Sequence, residues 1–223
     1  MTLRLLAGHP ALDFVNTIDP REGVHRVDHL RAYEDLVDWA ERAGILGAAD
    51  ARQAAREATR DPAAAARAFD RAVVLREATY AIFGAVTGRR PAPADDVQEL
   101  HAAYREAIDH ARLTQTGRRF RWRLSSGLDV VRWHIARDAV ALVESEMLGR
   151  VKRCPGSGEC GWLFLDSSKN ASRRWCSMEG CGNRAKLRRF LRRRKRRTDR
   201  RAVGSLQTRY LAAGSRASGA HPR

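Results

Sequence analysis

The chain has four cysteines, and all of them fall in one stretch: Cys154 and Cys160 as a C-x5-C pair, then Cys176 and Cys181 as a C-x4-C pair, with fifteen residues between the pairs. Clustered thiols in a reducing compartment are expected to bind metal rather than to form disulfides. Zinc is the ion that suits four thiolates in a tetrahedron, and four protein ligands leave it no open position, so the expected role is structural and not catalytic. Four reduced cysteines without metal are the alternative. Pro155, Gly156 and Gly158 lie between the first pair and suit a knuckle in which the backbone folds back on itself.

Immediately behind the last cysteine, residues 183–197 read N-R-A-K-L-R-R-F-L-R-R-R-K-R-R, and no Asp or Glu occurs between Cys181 and Thr198. A solvated helix face would interleave acids. An unbroken cationic run repels itself, and an external polyanion relieves that repulsion. Arginine dominates, and guanidinium binds phosphate through two parallel hydrogen bonds and can read guanine in the major groove. The candidate nucleic-acid-binding residues are Arg173, Arg174, Arg184, Lys186, Arg188, Arg189, Arg192, Arg193, Lys195, Arg196 and Arg197. DNA is the expected partner and RNA the alternative. A membrane is disfavoured, because the one apolar stripe, Leu187, Phe190 and Leu191 at i, i+3 and i+4, is expected to pack inward against Trp162, Phe164 or Trp175.

Charge and elements together divide the chain. Residues 1–149 hold 21 Lys/Arg and 22 Asp/Glu, a net −1, whereas residues 150–223 hold 21 and 4, a net +17. The boundary is therefore expected at 149–153. A mainly α fold is expected, with a helical N-terminal domain over 1–149, a small treble-clef-like zinc finger over 150–198 and a basic, disordered tail over 199–223. Within the finger, residues 162–166 and 173–175 read as two strands joined by a polar turn, and the second cysteine pair leads into the basic helix. The helix N-terminus would then bring its partial positive charge to the thiolates.

In the first domain, Pro10 suits a first helical position, and Asp28 is expected to cap a helix carrying Leu30, Tyr33, Val37 and Ala40. Residues 48–59 form a second, surface helix. Asp61-Pro62 starts a long one running to about Thr87. The next helix is expected from about Ala94 to Leu113, and Asp129 to cap one ending near Gly149. Between these two, Phe120, Trp122 and Leu124 alternate with Arg119, Arg121 and Arg123, the period of a half-buried strand whose partner the sequence does not identify.

Two segments resemble a known family pair. The motifs Cys160-Gly161-Trp162-Leu163-Phe164-Leu165-Asp166, Ser168-Lys169-Asn170, Arg173-Arg174-Trp175-Cys176-Ser177-Met178 and Cys181-Gly182-Asn183-Arg184 resemble the CGNR zinc finger. The opening Gly8-His9-Pro10-Ala11-Leu12-Asp13-Phe14-Val15-Asn16-Thr17 resembles the start of the ABATE domain that precedes this finger. The resemblance implies a bacterial transcription regulator with a helical N-terminal domain and a treble-clef finger proposed to bind DNA. This chain departs from the family at the first pair, which encloses five residues rather than the usual four, and the extra residue is expected to bulge outward.

A helical domain ahead of a DNA-binding finger could sense a small-molecule effector, form a homodimer, or both. Asp13, Asn16 and Thr17, polar among Leu12, Phe14 and Val15, are the candidate ligand-pocket residues. Helix capping and interhelical hydrogen bonding are the alternative for them. Phe120, Trp122 and Trp133 could line a pocket, although such residues are more often core. The seven histidines show no H-x3-H pair, and neither a phosphate loop nor a G-x-S-x-G motif is present. The chain is therefore expected not to be an enzyme and to have no catalytic residues. With no signal-like apolar run at residues 1–27 and no window of about 18 apolar residues, it is expected to be cytoplasmic, and nucleoid-associated when on DNA.

Overall fold

The computed structural model describes residues 4–156 and 158–195. The expected tail at 199–223 lies outside them. In chain order the elements are α1 (Pro10–Val15), the short strands β1 (Ile18–Asp19) and β2 (Val27–Asp28), α2 (Tyr33–Arg42), α3 (Ala48–Arg60), α4 (Pro62–Thr87), α5 (Ala94–Asp109), β3 (Ala111–Thr116), β4 (Arg119–Leu124) and α6 (Val130–Glu144). A 3-10 turn, Glu146–Arg150, then leads to β5 (Val151–Arg153) and β6 (Leu163–Leu165). A single π-helical turn, Met178–Gly182, opens into α7, which covers residues 183–195. The fold is mainly α, and the described residues form three separate two-stranded antiparallel ladders, β1–β2, β3–β4 and β5–β6.

The long helix α4 starts where its sequence says it should. Asp61 accepts a hydrogen bond from the Ala64 amide at 2.8 Å, and Pro62 occupies the first turn, where a missing N–H costs nothing. Its buried face carries Ala65, Ala68, Ala72, Leu75, Ile82 and Phe83. The small residues let neighbouring helices approach closely. Helix α3 contributes a matching alanine stripe, Ala51, Ala54 and Ala58.

At the centre of the molecule lies α1, which touches α4, α6 and β6. It is only six residues long, and every one after Pro10 is buried. Such a helix gains its stability from packing and not from propensity. Phe14 lies against Trp39 with ring centroids 5.1 Å apart.

Three expectations about elements are corrected. Asp28 does not cap a helix: it sits on β2 and pairs through both oxygens with the guanidinium of Arg76, at 2.8 and 2.6 Å, while α2 begins only at Tyr33. Arg76 is 1% exposed, so the pair compensates a buried cation, and the carboxylate is committed there. The helix expected to reach Leu113 stops at Asp109. The following residues form β3, the partner of β4, in register from Ala111 opposite Leu124 to Thr116 opposite Arg119. Asp129 precedes α6 without capping it, because its carboxylate takes two hydrogen bonds from Arg71, at 2.9 and 2.6 Å.

The hydrophobic core is continuous from α1 through the helices into β5, β6 and the four cysteines. Leu163 and Phe164 of β6 are fully buried. Hydrogen bonds join the edges of this seam. The Asn16 side chain clamps the backbone of Leu163, donating to its carbonyl at 2.7 Å and accepting from its amide at 3.0 Å. Leu165 donates to the Ala7 carbonyl at 2.7 Å, Trp162 Nε1 to the Ile18 carbonyl at 3.1 Å, and the Tyr80 hydroxyl to the Gly161 carbonyl at 3.0 Å. Arg21 and Glu22 donate their amides to the carbonyls of Cys160 and Glu159, at 2.8 and 3.0 Å.

Candidate metal centre and the basic helix

The β5–β6 hairpin carries the first cysteine pair in its connection. Cys154 leaves β5, and its amide donates to the Trp162 carbonyl at 2.7 Å, so the two ends of the knuckle are stitched together. Gly156 makes the reversal possible. Its φ is +46°, and a Cβ there would fall 2.4 Å from the Cys160 Cβ. The outward bulge expected within this five-residue spacing falls in a knuckle whose Ser157 lies outside the described residues. The second pair comes from the segment after β6: Cys176 precedes the π-turn, and Cys181 lies within it.

These four residues, all buried, bring their sulfurs within 4.8 Å of one another. Cys160 and Cys176 Sγ are 3.7 Å apart, and Cys176 and Cys181 Sγ 3.6 Å. A tetrahedral zinc with Zn–S bonds of about 2.3 Å requires sulfur–sulfur edges of about 3.8 Å. The donor set, the spacing and the burial fit one structural zinc ion, held by Cys154, Cys160, Cys176 and Cys181.

Hydrogen-bond donors converge on two of the four sulfurs. The Cys176 amide donates to Cys154 Sγ at 3.3 Å, and Arg184 Nη2 to Cys181 Sγ at 3.3 Å. Hydrogen bonds among the four sulfurs hold Cys154 down at about 7 and push Cys181 down as well, while the same contacts push the Cys160 and Cys176 thiols up. A bound cation would take the place of the protons those two retain. Arg184 therefore serves the centre itself, positioning and stabilising a ligand.

Between Leu165 and Cys176 the chain forms no strand, which corrects the expected pairing of 162–166 with 173–175. The partner of β6 is β5. The intervening loop is folded instead around Asp166, whose side chain is fully buried. It accepts from the Ser168 amide and hydroxyl at 3.0 and 2.6 Å, the Arg173 amide at 2.9 Å and Lys152 Nζ at 2.6 Å. Burial alone would push this carboxyl up. The Lys152 ammonium and the Ser168 hydrogen bonds outweigh it and hold Asp166 well below the usual carboxylate range.

Among the residues expected to meet nucleic acid, Arg173 is turned inward. Its guanidinium donates to the carbonyls of Trp175 at 3.1 Å, Leu165 at 3.3 Å and Leu6 at 2.7 Å, as well as to that of Cys176, and lies 4.6 Å from the centre of the Phe164 ring. It ties the second cysteine pair to the N-terminal segment. Arg174, Lys186, Arg188, Arg189, Arg192, Arg193 and Lys195 are exposed. Arg196 and Arg197 lie outside the described residues. Helix α7 thus presents eight cations and no acid over residues 183–195.

Its apolar stripe is not packed. Leu187, Phe190 and Leu191 are 58%, 57% and 51% exposed, against the expectation that they cover the hairpin. The surfaces meant to receive them are already occupied. Leu163 and Phe164 face the N-terminal core, Trp162 is hydrogen-bonded to Ile18, and Arg173 covers the Phe164 ring.

Asp13, Asn16 and Thr17 are 9%, 1% and 0% exposed and have their polar atoms engaged inside the protein. Asp13 accepts from the Ala7 amide at 2.9 Å. Asn16 holds Leu163, and Thr17 donates to the Phe14 carbonyl at 2.8 Å and accepts from Arg76 at 3.1 Å. Burial pushes the Asp13 carboxyl up to about 6 despite its backbone hydrogen bonds. Sequence reasoning missed Lys152 altogether, and it named Asp166 only within a motif and Arg184 only as a nucleic-acid contact, without the roles they have here. Only the folded loop identifies their partners.

A family model described as "ABATE: Putative stress-induced transcription regulator" matches residues 8–146, more than half of the chain. The model of the CGNR zinc finger matches residues 150–194. Both are regulator or zinc-finger types and not enzyme types. No curated protein matches the chain. The matched spans follow the core built on α1 and the four-sulfur centre with its helix: the chain belongs to the ABATE family and carries a CGNR zinc finger over residues 150–194.

Proposed function

We propose that this is a zinc-dependent, DNA-binding transcription regulator in which the zinc centre fixes the root of α7 and the cations of that helix contact the phosphate backbone. The observation that carries the reading is the exposure of α7 along its length together with its eight cations and no acid. A helix of this charge gains affinity by releasing counterions from DNA, and that gain falls with salt in proportion to the phosphates contacted. The role of zinc is to make the helix project from a fixed point. The reading assigns no effector to Asp13, Asn16 and Thr17, whose polar atoms support the fold.

The test is a titration of duplex DNA and of structured RNA by fluorescence anisotropy at several salt concentrations, with the full chain and with Arg188→Ala/Arg192→Ala. The double variant is expected to flatten the salt slope by about 1.8 while retaining zinc, since each phosphate contact contributes about 0.9. Preference for RNA at every salt concentration overturns the DNA assignment.

A further inference from the structure

The hairpin β3–β4 is a second cationic element, and it belongs to the domain whose net charge is otherwise negative. Residues 111–124 contain Arg112, Arg118, Arg119, Arg121 and Arg123 and no acid, a net +5. The rest of residues 1–149 carries 16 Lys/Arg against 22 Asp/Glu, a net −6. The near-neutral total hides this separation.

Register sorts the side chains. Because Arg112 pairs with Arg123, Thr114 with Arg121 and Thr116 with Arg119, these six share one face, and Leu113, Phe120 and Trp122 lie on the other. Gly117, with φ +59°, begins the tight turn, and Arg118 sits at the tip.

The ribbon stands clear of the body. Leu124 alone of its side chains packs against the core; Phe120 and Trp122 are 61% and 58% exposed. Its base is anchored: His110 stacks on Trp133 at 4.1 Å, and Ser125 donates to the His110 carbonyl through both its amide and its hydroxyl, each at 2.9 Å. Among the described residues, none of the five arginines is in an ion pair. An isolated two-stranded ribbon is at best marginally stable in water, and four arginines on one face make it worse. Folding of the domain gains nothing from this arrangement, whereas a polyanion would relieve it. Beside the arginines runs a hollow of ≈ 550 Å³, lined by Thr114, Thr116, Arg119, Arg121, Trp122 and Arg123.

We infer that the arginine face of β3–β4 is a second binding surface for the phosphate backbone of duplex DNA. This rests on the DNA-binding reading of the finger. The ribbon adjoins the N-terminal end of α6, a helix about 22 Å long, and the strand β5 that opens the finger follows its C-terminal end. A two-stranded ribbon is also one of the shapes that a DNA groove accommodates.

The experiment compares the full chain with Arg119→Ala/Arg121→Ala/Arg123→Ala on a random-sequence duplex, measuring the salt slope by anisotropy. Zinc content and circular dichroism verify the fold. Loss of three phosphate contacts flattens the slope by about 2.7. The corresponding Arg→Lys triple keeps most of the slope, because a point charge still holds phosphate. A control triple on α3, Arg52→Ala/Arg56→Ala/Arg60→Ala, removes the same charge elsewhere and leaves the slope unchanged. If the wild type binds steeply and the ribbon triple keeps its slope, the ribbon inference fails and the finger reading stands. If the control triple flattens the slope equally, the ribbon acts through net charge and is not a contact surface. If the wild type binds no duplex, both fall, and binding of the ribbon only to structured RNA or to anionic vesicles likewise overturns it.

Discussion

The two ends of the zinc finger are treated in opposite ways by the rest of the protein. The β5–β6 end is sunk into the helical core, where Leu163 and Phe164 are fully buried and Asn16 clamps the strand. The α7 end is exposed along its length, including the apolar residues that would ordinarily be hidden. The same cysteines join both, since Cys154 and Cys160 belong to the hairpin and Cys181 to the root of α7. The zinc centre is therefore a joint between a part that serves the fold and a part released from that duty. Changes on the buried side should appear as stability, and changes on the exposed side as binding.

The largest effect should come from the joint itself. Cys176→Ser removes a ligand whose sulfur touches those of both Cys160 and Cys181. Structural zinc contributes on the order of 10 kcal/mol to the folding of small zinc modules. Here part of that loss should reach the helices, because β6 shares their core. The variant is expected to purify without stoichiometric zinc and to melt at a lower temperature when followed by helical circular dichroism, a signal that comes mostly from residues 10–144. An unchanged melting temperature with zinc lost would break the comparison, since the seam would then transmit nothing.

A smaller effect should appear on the buried side with pH. Asp13 holds the Ala7 amide, and the Ala7 carbonyl in turn accepts from Leu165, so the carboxyl supports the seam at one remove. Burial raises it from 3.8 to about 6. A raised carboxyl favours the protonated form in the folded state, so its contribution is fully present below about pH 4 and is lost as pH rises through about 6. Asp13→Asn keeps an acceptor and cannot ionise. Urea midpoints at pH 4.5, 5.5 and 7 should therefore show the variant gaining on the wild type as pH rises, by about 2 kcal/mol across that range. A constant difference across that range would show that Asp13 ionises freely in the folded protein.

The same contrast separates what was legible in the sequence from what was not. Cysteine spacing, the absence of acids between Cys181 and Thr198 and the Asp61-Pro62 helix start are local signals, and each is matched by a local structure. Asp28 resembled a helix cap because caps are recognised by residue type, yet Arg76, 48 residues away, takes its carboxylate. The start of β3 reads as the end of a helix because its two apolar residues, Ala111 and Leu113, are too few to show alternation; only its pairing with β4 identifies it. Residue type leaves Asn16 open between a pocket and an interhelical hydrogen bond, and its partner is the backbone of a strand 147 residues later. Helical periodicity in α7 established an apolar stripe but not its burial, since burial depends on whether the facing surface is already covered.

That last point gives the smallest predicted effect and the sharpest test of the comparison. A Phe packed in a core costs about 3–5 kcal/mol when cut back to Ala, and the spacing of Leu187, Phe190 and Leu191 alone would place Phe190 in that class. In the folded protein its ring is 57% exposed and meets the Arg194 guanidinium at 5.9 Å. An exposed cation–π contact contributes about 0.5–1 kcal/mol, and surface substitutions otherwise fall within about 0.5 kcal/mol. Phe190→Ala should therefore leave the urea midpoint of the full-length, zinc-loaded protein nearly unchanged. A loss of more than about 2 kcal/mol, which only a buried ring produces, would mean that α7 folds back onto the body in solution. Its exposed cations would then have to detach from that packing before they could reach a phosphate.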